Sequence, residues 1–351
     1  MAMRIGLLRG GPLIVVLSVV LAGALSLIAA VAYSQSNSPG PVSLTSLPHV
    51  GPTVSPPSTS STAGAAPAVP ADGKFYLGVS SDPNTIATYD RMSGVKQSSI
   101  LGGYVLSGGQ LMSVVNHSSN LPGTIPMVSW GVDFTHNAVL SGSANAYLIS
   151  QAKALAAYGK PVFLRLDWEM NGNWYPQWGS GAVSPTVYID SWRYIREYFW
   201  LEGAYNVSFV WCPNVGDPEN AAAYDWYPGD EYVDWVGLDA YPQSHLAGLG
   251  LLAGTDGLNS MAQQAAAHDK PLMLAEWAPS NLSSDVAQPF EQIFQWALEY
   301  PDTVKALVYF NYGSSTVDHF LVDYPVGAAE YRKLIAENRK RVLGAVINSG
   351  G

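Results

Sequence analysis

This chain of 351 residues carries one cysteine, Cys212. It can form no intrachain disulfide, so packing, hydrogen bonds and ion pairs must hold the fold. Cys212 closes the apolar run Val207-Ser208-Phe209-Val210-Trp211-Cys212, which reads as buried strand and not as the setting of a nucleophile. Histidine is scarce too. The six present are scattered, and none stands at ligand spacing from another histidine, the cysteine or a carboxylate cluster, which argues against a metal site. His136, His245, His268 and His319 read as loop or helix-surface residues. No Gly-x-Ser-x-Gly elbow follows a strand, so a serine hydrolase is disfavoured. No glycine-rich loop has nucleotide-binding spacing, so phosphoryl chemistry has no cradle and no cofactor is expected. Charged residues make up only 13% of the chain, with 17 Lys and Arg against 27 Asp and Glu. A net charge of −10 makes nucleic acid and anionic glycans poor partners. No internal repeat is visible, and nothing points to an oligomer.

Aromatic side chains are abundant by contrast: 11 Trp and 20 Tyr argue for a neutral ligand that stacks. At the N-terminus Arg4 and Arg9 precede an almost wholly apolar stretch, residues 13–32. Residues 1–33 therefore read as an export signal. The stretch is longer than a usual signal-peptide core and just long enough to span a bilayer, while Ala30-Val31-Ala32 offers a cleavage site. A secreted protein and one with N-terminal membrane attachment both stay open. Residues 34–73 are rich in Ser, Thr, Pro, Ala and Gly with almost no charge, the composition of an extended linker. Residues 74–351 form one large domain, close to the about 250 residues typical of an eight-fold (β/α) TIM barrel.

Eight apolar strand patterns support that α/β architecture: residues 75–79, 99–104, 125–129, 162–167, 207–212, 233–238, 272–276 and 306–310. Helix-patterned stretches separate them. Tyr188, Trp192, Ile195 and Phe199 stand at helical spacing behind Ser184-Pro185; Phe290, Ile293, Phe294 and Ala297 do the same later. Gly159, before Lys160-Pro161, reads as a helix stop, and a last helix is expected over 328–342.

The fourth strand runs into Arg165-Leu166-Asp167-Trp168-Glu169-Met170-Asn171-Gly172-Asn173-Trp174-Tyr175-Pro176-Gln177-Trp178. Strict alternation puts Val162, Leu164 and Leu166 on one face and Arg165, Asp167 and Glu169 on the other. Unpaired burial of such charges is costly, so the polar face must line a network or a cleft. A purely structural ion-pair strand is the competing reading. Pro271-Leu272-Met273-Leu274-Ala275-Glu276-Trp277-Ala278-Pro279 repeats the pattern of an apolar strand ending in Glu and Trp. Two carboxylates at strand ends of one barrel suit glycoside hydrolysis, which needs one to protonate a leaving oxygen and another to attack or to activate water.

Those two segments, with Tyr227-Pro-Gly-Asp-Glu-Tyr-Val-Asp-Trp-Val-Gly-Leu-Asp-Ala-Tyr241 between them, resemble glycoside hydrolase family 26, best known for β-mannanases. Their order and spacing match, and the resemblance runs from about residue 75 onward. It implies a clan A barrel, retaining double displacement on a neutral β-linked polysaccharide, Glu169 as general acid/base and Glu276 as nucleophile. It also implies that Tyr241 hydrogen-bonds the nucleophile. Arg165 is a candidate for holding Asp167 or a catalytic carboxylate, with Asp239 on the polar face of its strand and Asn214 within reach of the cleft. Of the aromatics near strand ends, Trp168, Trp174, Trp178, Tyr241, Trp277 and Tyr312 are the candidate sugar contacts, while Trp211 and Trp235 read as structural. The chain departs from its family at Trp168, where a histidine is usual. Trp168 either faces the cleft or turns outward with Leu164 and Leu166. The resemblance implies an endo-acting enzyme on β-1,4-mannan; the alternatives are a β-glucanase or β-xylanase of the same fold, or a non-catalytic glycan-binding or scaffold barrel.

Overall fold

The computed structural model describes residues 65–347 except 107, 120, 133–135, 216–219, 243–255, 280–284, 286, 314–317 and 344–345. The expected signal or anchor over 1–33, most of the expected linker and His245 lie outside the described residues. Among the described residues no helix is long and apolar enough to cross a membrane.

Eight parallel strands close into a barrel. They are β1 (Phe75–Ser81), β3 (Ile100–Val105), β4 (Ile125–Trp130), β5 (Val162–Leu166), β6 (Val207–Trp211), β7 (Trp235–Ala240), β8 (Leu272–Trp277) and β9 (Val304–Asn311). Neighbours pair in that order, and β9 pairs back onto β1 from Tyr76↔Ala306 to Ser81↔Asn311. All eight expected strands are present, so the barrel reading holds. Among the described residues three short strands are additional. β2 (Val95–Gln97) pairs antiparallel with β11 (Val346–Ile347), and β10 (Val342–Leu343) pairs parallel with the start of β1.

Register decides which side chains face the barrel axis. Ser129, Arg165, Val210 and Trp235 pair in succession across β4, β5, β6 and β7, so they share one face. Leu164 and Phe209 pair on the other face, where Phe209 packs edge-on against Trp192 and Phe199 of the surrounding helix layer. The first row is therefore interior and the second lies between strands and helices.

Among the described residues the helices are α1 (Ile86–Ser93), α2 (Met112–Ser118), α3 (His136–Leu140), α4 (Asn145–Tyr158), α5 (Pro185–Leu201), α6 (Leu258–Ala267), α7 (Gln288–Glu299) and α8 (Pro325–Glu337). Gly159 ends α4 at φ 67°, and Ser184 starts α5 by accepting the Val187 amide at 3.4 Å. The two expected stripes on α5 and α7 are buried. α8 starts and stops earlier than 328–342, because Pro325 supplies its first turn and the chain turns at 338–341 to reach β10. Between β6 and β7 the described residues hold only a 3-10 turn, Ala223–Trp226, where the sequence suggests a helix. Tyr224 and Tyr227 pack on Trp211 there, at 5.1 and 5.0 Å between ring centroids, so aromatic bulk covers that part of the sheet.

Packing onto the barrel begins before β1. Pro67 and Pro70 are buried, the Tyr76 hydroxyl donates to the Ala68 carbonyl, and Asp72 pairs with the buried Lys305 at 3.0 Å.

Candidate active site

The site forms at the C-terminal ends of the strands, where barrel loops carry chemistry. β5 stops at Leu166, short of the expected 162–167. Asp167 and Glu169 both adopt left-handed backbone, φ 43° and 54°, a conformation that costs non-glycine residues about 1 kcal/mol or more. Two neighbouring carbonyls hold it: Asp167 donates its amide to Trp130 at 2.9 Å, and Glu169 donates its amide to Cys212 at 2.7 Å. Strict alternation thus describes Arg165 and fails beyond it. The Asp167 Oδ1 accepts the Val132 amide at 2.7 Å, in the loop after β4. Of the two partners expected for Arg165, the structure shows the catalytic carboxylate, Glu276, while Asp167 is tied to the loop after β4.

Glu276 reaches the interior through a slip in register. Leu238 pairs with Leu274, but Asp239 pairs with Glu276, so Ala275 is an extra residue in β8. In regular alternation Glu276 would share the outward face of Leu274; the bulge at Ala275 turns its carboxylate onto the same face as Asp239. Trp277 turns outward as a result.

Arg165 sits at the centre of the network and is fully buried. Its Nε donates to Ser129 Oγ at 2.9 Å, and Nη1 donates to both Asp239 oxygens at 2.7 and 2.6 Å. Its Nη2 pairs with Glu276 Oε1. The Tyr104 hydroxyl donates to the same oxygen at 2.5 Å, and the Tyr241 hydroxyl donates to Oε2. Glu276 therefore faces three donors, a set suited to an acceptor-only carboxylate. Burial pushes the Asp239 carboxyl up, opposed by the adjacent guanidinium. Cys212 lies beneath the site with its Sγ 3.2 Å from Asp239 Oδ1, and burial pushes its thiol well up, in keeping with an inert core cysteine.

Glu169 has a different environment. Asn214 Nδ2 donates to its Oε1 at 2.6 Å and Trp174 Nε1 donates to its Oε2 at 2.9 Å. Burial raises its pKa first and the Glu276 charge second, while the two donors pull it down. Glu169 is held by two neutral donors and its pKa is raised, which suits a group that carries a proton.

The expected aromatics divide. Trp174 is 42% exposed beside Glu169, and Tyr241 and Tyr312 are half-buried at the cleft. Trp168 lies on the cleft side, edge-on to Tyr104 with centroids 5.4 Å apart, and does not pack behind the strand with Leu164 and Leu166. Two expectations are corrected. Trp178 is buried, stacked on Tyr175 at 4.5 Å, and donates its Nε1–H to the Trp168 carbonyl at 2.7 Å, so it braces the loop. Trp277 is buried between barrel and helices against Phe290, Tyr309 and Tyr331, where no ligand in the cleft can touch it. Trp211 and Trp235 are buried, as expected.

Tyr104 and Phe310 were not singled out in the sequence. Tyr104 pairs with inward Ser129, and Phe310 pairs with Ser80; the two rings meet edge-on at 6.2 Å. Two histidines are also corrected. His319 is buried against Tyr241, centroids 4.9 Å apart, with Nδ1 2.7 Å from the Pro279 carbonyl. His136 is buried against Tyr188, and neither ring nitrogen finds a partner among the described residues. Among the described residues no three His, Cys, Asp or Glu side chains gather as a metal ion would require.

Comparison with known proteins places this geometry in a family context. The model of glycosyl hydrolase family 26 matches residues 135–281, which span the Glu169 motif through Glu276, so the resemblance read from the sequence holds. Endoglucanase H of Acetivibrio thermocellus is 32% identical over 223 residues, covering 61% of this chain and 24% of that protein. A mannan endo-1,4-beta-mannosidase of Bacillus subtilis is 29% identical over 191 residues, covering 52% of this chain and 46% of that protein. The chain thus spans about a quarter of the first and under half of the second of these curated relatives. A family 26 β-mannanase of Bacteroides ovatus shares the fold with a TM-score of 0.58 at 15% identity, covering 77% of this chain and 90% of that one.

Proposed function

We infer that this chain, as a member of glycoside hydrolase family 26, is an endo-acting retaining β-glycosidase with β-1,4-mannan as its substrate. The observation that carries the reading is the opposite treatment of two carboxyl groups at one rim. Burial and a neighbouring negative charge raise the pKa of Glu169, while Glu276 is gripped by Arg165, Tyr104 and Tyr241. In the first step Glu276 attacks the anomeric carbon as the bond to the leaving oxygen breaks, and Glu169 gives that oxygen its proton. In the second, Glu169 takes a proton from water, the water oxygen attacks the same carbon, and the ester to Glu276 breaks with net retention. Trp174, Tyr241 and Tyr312 supply the apolar faces on which sugar rings pack. Asn214 and Trp174 orient the acid/base, and Asp239 holds Arg165 from behind.

The endoglucanase match keeps β-glucan as a second substrate. Export belongs to the proposal as well, resting on the apolar stretch over 13–32 and the Ser/Thr/Pro-rich residues behind it, whether the chain is secreted or stays anchored. The test is release of reducing sugar from β-mannan, mixed-linkage β-glucan and β-xylan, with Glu276→Ala as the control. The reading predicts turnover highest on β-mannan and absent in the variant. A wild-type protein that binds these polymers and cleaves none would instead be a glycan-binding barrel.

A further inference from the structure

Trp168 is next to Glu169 in the chain, yet its side chain serves the other half of the site. Its ring lies over the Arg165 guanidinium, 5.2 Å from Cζ to the ring centroid, and edge-on to Tyr104 at 5.4 Å. Arg165 and Tyr104 are the two donors to Glu276 Oε1. The indole is itself locked from the loop side. Its Nε1–H donates to the Tyr175 hydroxyl at 2.8 Å, its ring packs on Trp178 at 5.2 Å, and its carbonyl accepts the Trp178 indole. Only 5% of Trp168 is exposed. A side chain so enclosed offers little face to a sugar, but it closes one side of the pocket in which the guanidinium and the Tyr104 hydroxyl must stay.

We propose that Trp168 is a positioning residue for Glu276: its indole covers Arg165 and Tyr104 and so holds the carboxylate in the orientation from which it attacks. The two halves of the site are thereby joined by one residue, because the turn that presents Glu169 also seats the ring that steadies the nucleophile's donors. Two features make the arrangement sensitive. The guanidinium is held between Asp239 and Glu276 with no water-facing edge, so a gap above it would admit water or let it tilt. A tilt at Nη2 moves Oε1, and a small displacement of an attacking atom is costly in rate.

The proposal rests on Glu276 being the nucleophile, and the experiment separates the two. A fluorinated aryl β-mannobioside, whose glycosyl-enzyme turns over slowly, is used to label the protein, and peptide mass spectrometry reads the site and the rate. Labelling of wild type at a residue other than Glu276, or none at all, sinks the functional reading whatever Trp168 does. With the label on Glu276, Trp168→Leu should slow labelling about 30-fold with KM nearly unchanged, the loss expected from removing a desolvated aromatic face over a cation. Trp168→Phe keeps a face over Arg165 and should stay within about threefold of wild type. If Trp168→Leu does not fold, Trp168→His, whose smaller ring covers less of the guanidinium, takes its place in the same comparison. Equal labelling rates per folded molecule in all variants overturn the proposal, as does a raised KM with an unchanged labelling rate, which would make Trp168 a sugar platform.

Discussion

The Trp174 indole donates its N–H to Oε2 of Glu169 at 2.9 Å while 42% of its own surface stays open to solvent. One side chain thus touches the acid/base and faces the space a sugar would fill. The donor favours the charged carboxylate and so opposes the rise that burial and Glu276 impose. Removing it in Trp174→Phe should move the basic limb of kcat/KM to higher pH, because Glu169 then keeps its proton longer. A limb that stays in place or falls would separate Trp174 from the acid/base.

Gly172 gives a second way to test that contact without touching the indole. A Cβ at position 172 would overlap the Trp174 ring, which is exposed enough to swing aside. Gly172→Ala should therefore reproduce the basic-limb shift of Trp174→Phe with a melting temperature close to wild type. A large drop in melting temperature with an unchanged pH profile would place the strain in the backbone instead.

Arg165 carries most of the electrostatic load. Arg165→Met leaves Asp239 and Glu276 buried together with no cation between them. Stability measured by urea unfolding should fall by about 3–5 kcal/mol. A loss below about 1 kcal/mol would mean that water already compensates the pair, contrary to the closed packing around it.

Burial lowers the His136 pKa from 6.5 to about 4. An unfolded chain binds that proton more readily, so the contribution to stability is fully present above about pH 6.5 and is lost as pH falls toward 4. The shift corresponds to about 3 kcal/mol. His136→Leu should flatten the decline in melting temperature between pH 6.5 and 4, whereas a decline as steep as in wild type would point to carboxylates alone.

At the start of the barrel, Asp72 is 77% exposed but pairs with Lys305, which is 3% exposed. Asp72→Ala leaves the ammonium with the Pro301 carbonyl at 3.2 Å. A loss of about 1–3 kcal/mol is expected from a buried donor deprived of its charged partner. No change in melting temperature would make the residues before β1 a passive tether.

The eight barrel strands were legible because strands covered on both sides read as continuous apolar runs, and the Trp168-Glu169 and Glu276-Trp277 ends marked the rim. Direction was less legible. Ala275 becomes a bulge only because β7 pairs across it, so no local pattern could announce that Glu276 turns in and Trp277 turns out. The left-handed turns at Asp167 and Glu169 likewise depend on carbonyls of Trp130 and Cys212 from adjacent strands. Tyr104 sits in Leu101-Gly102-Gly103-Tyr104-Val105 and looks like one more core aromatic. Its alternation with Gly102 was the available signal: both face the axis, and Gly102 is small because Ser80 occupies the space beside it.

The roles of the two carboxylates are tested most directly by azide rescue of each alanine variant on an activated aryl β-mannobioside, with the anomer of the azide product read by NMR. In Glu276→Ala, azide replaces the nucleophile and attacks the sugar from the opposite face, so the account predicts an α-glycosyl azide. In Glu169→Ala, azide attacks the glycosyl-enzyme on Glu276, and the account predicts a β-glycosyl azide. The reverse assignment of anomers would exchange the two roles, and α-azide or no rescue in both variants would contradict double displacement through Glu276.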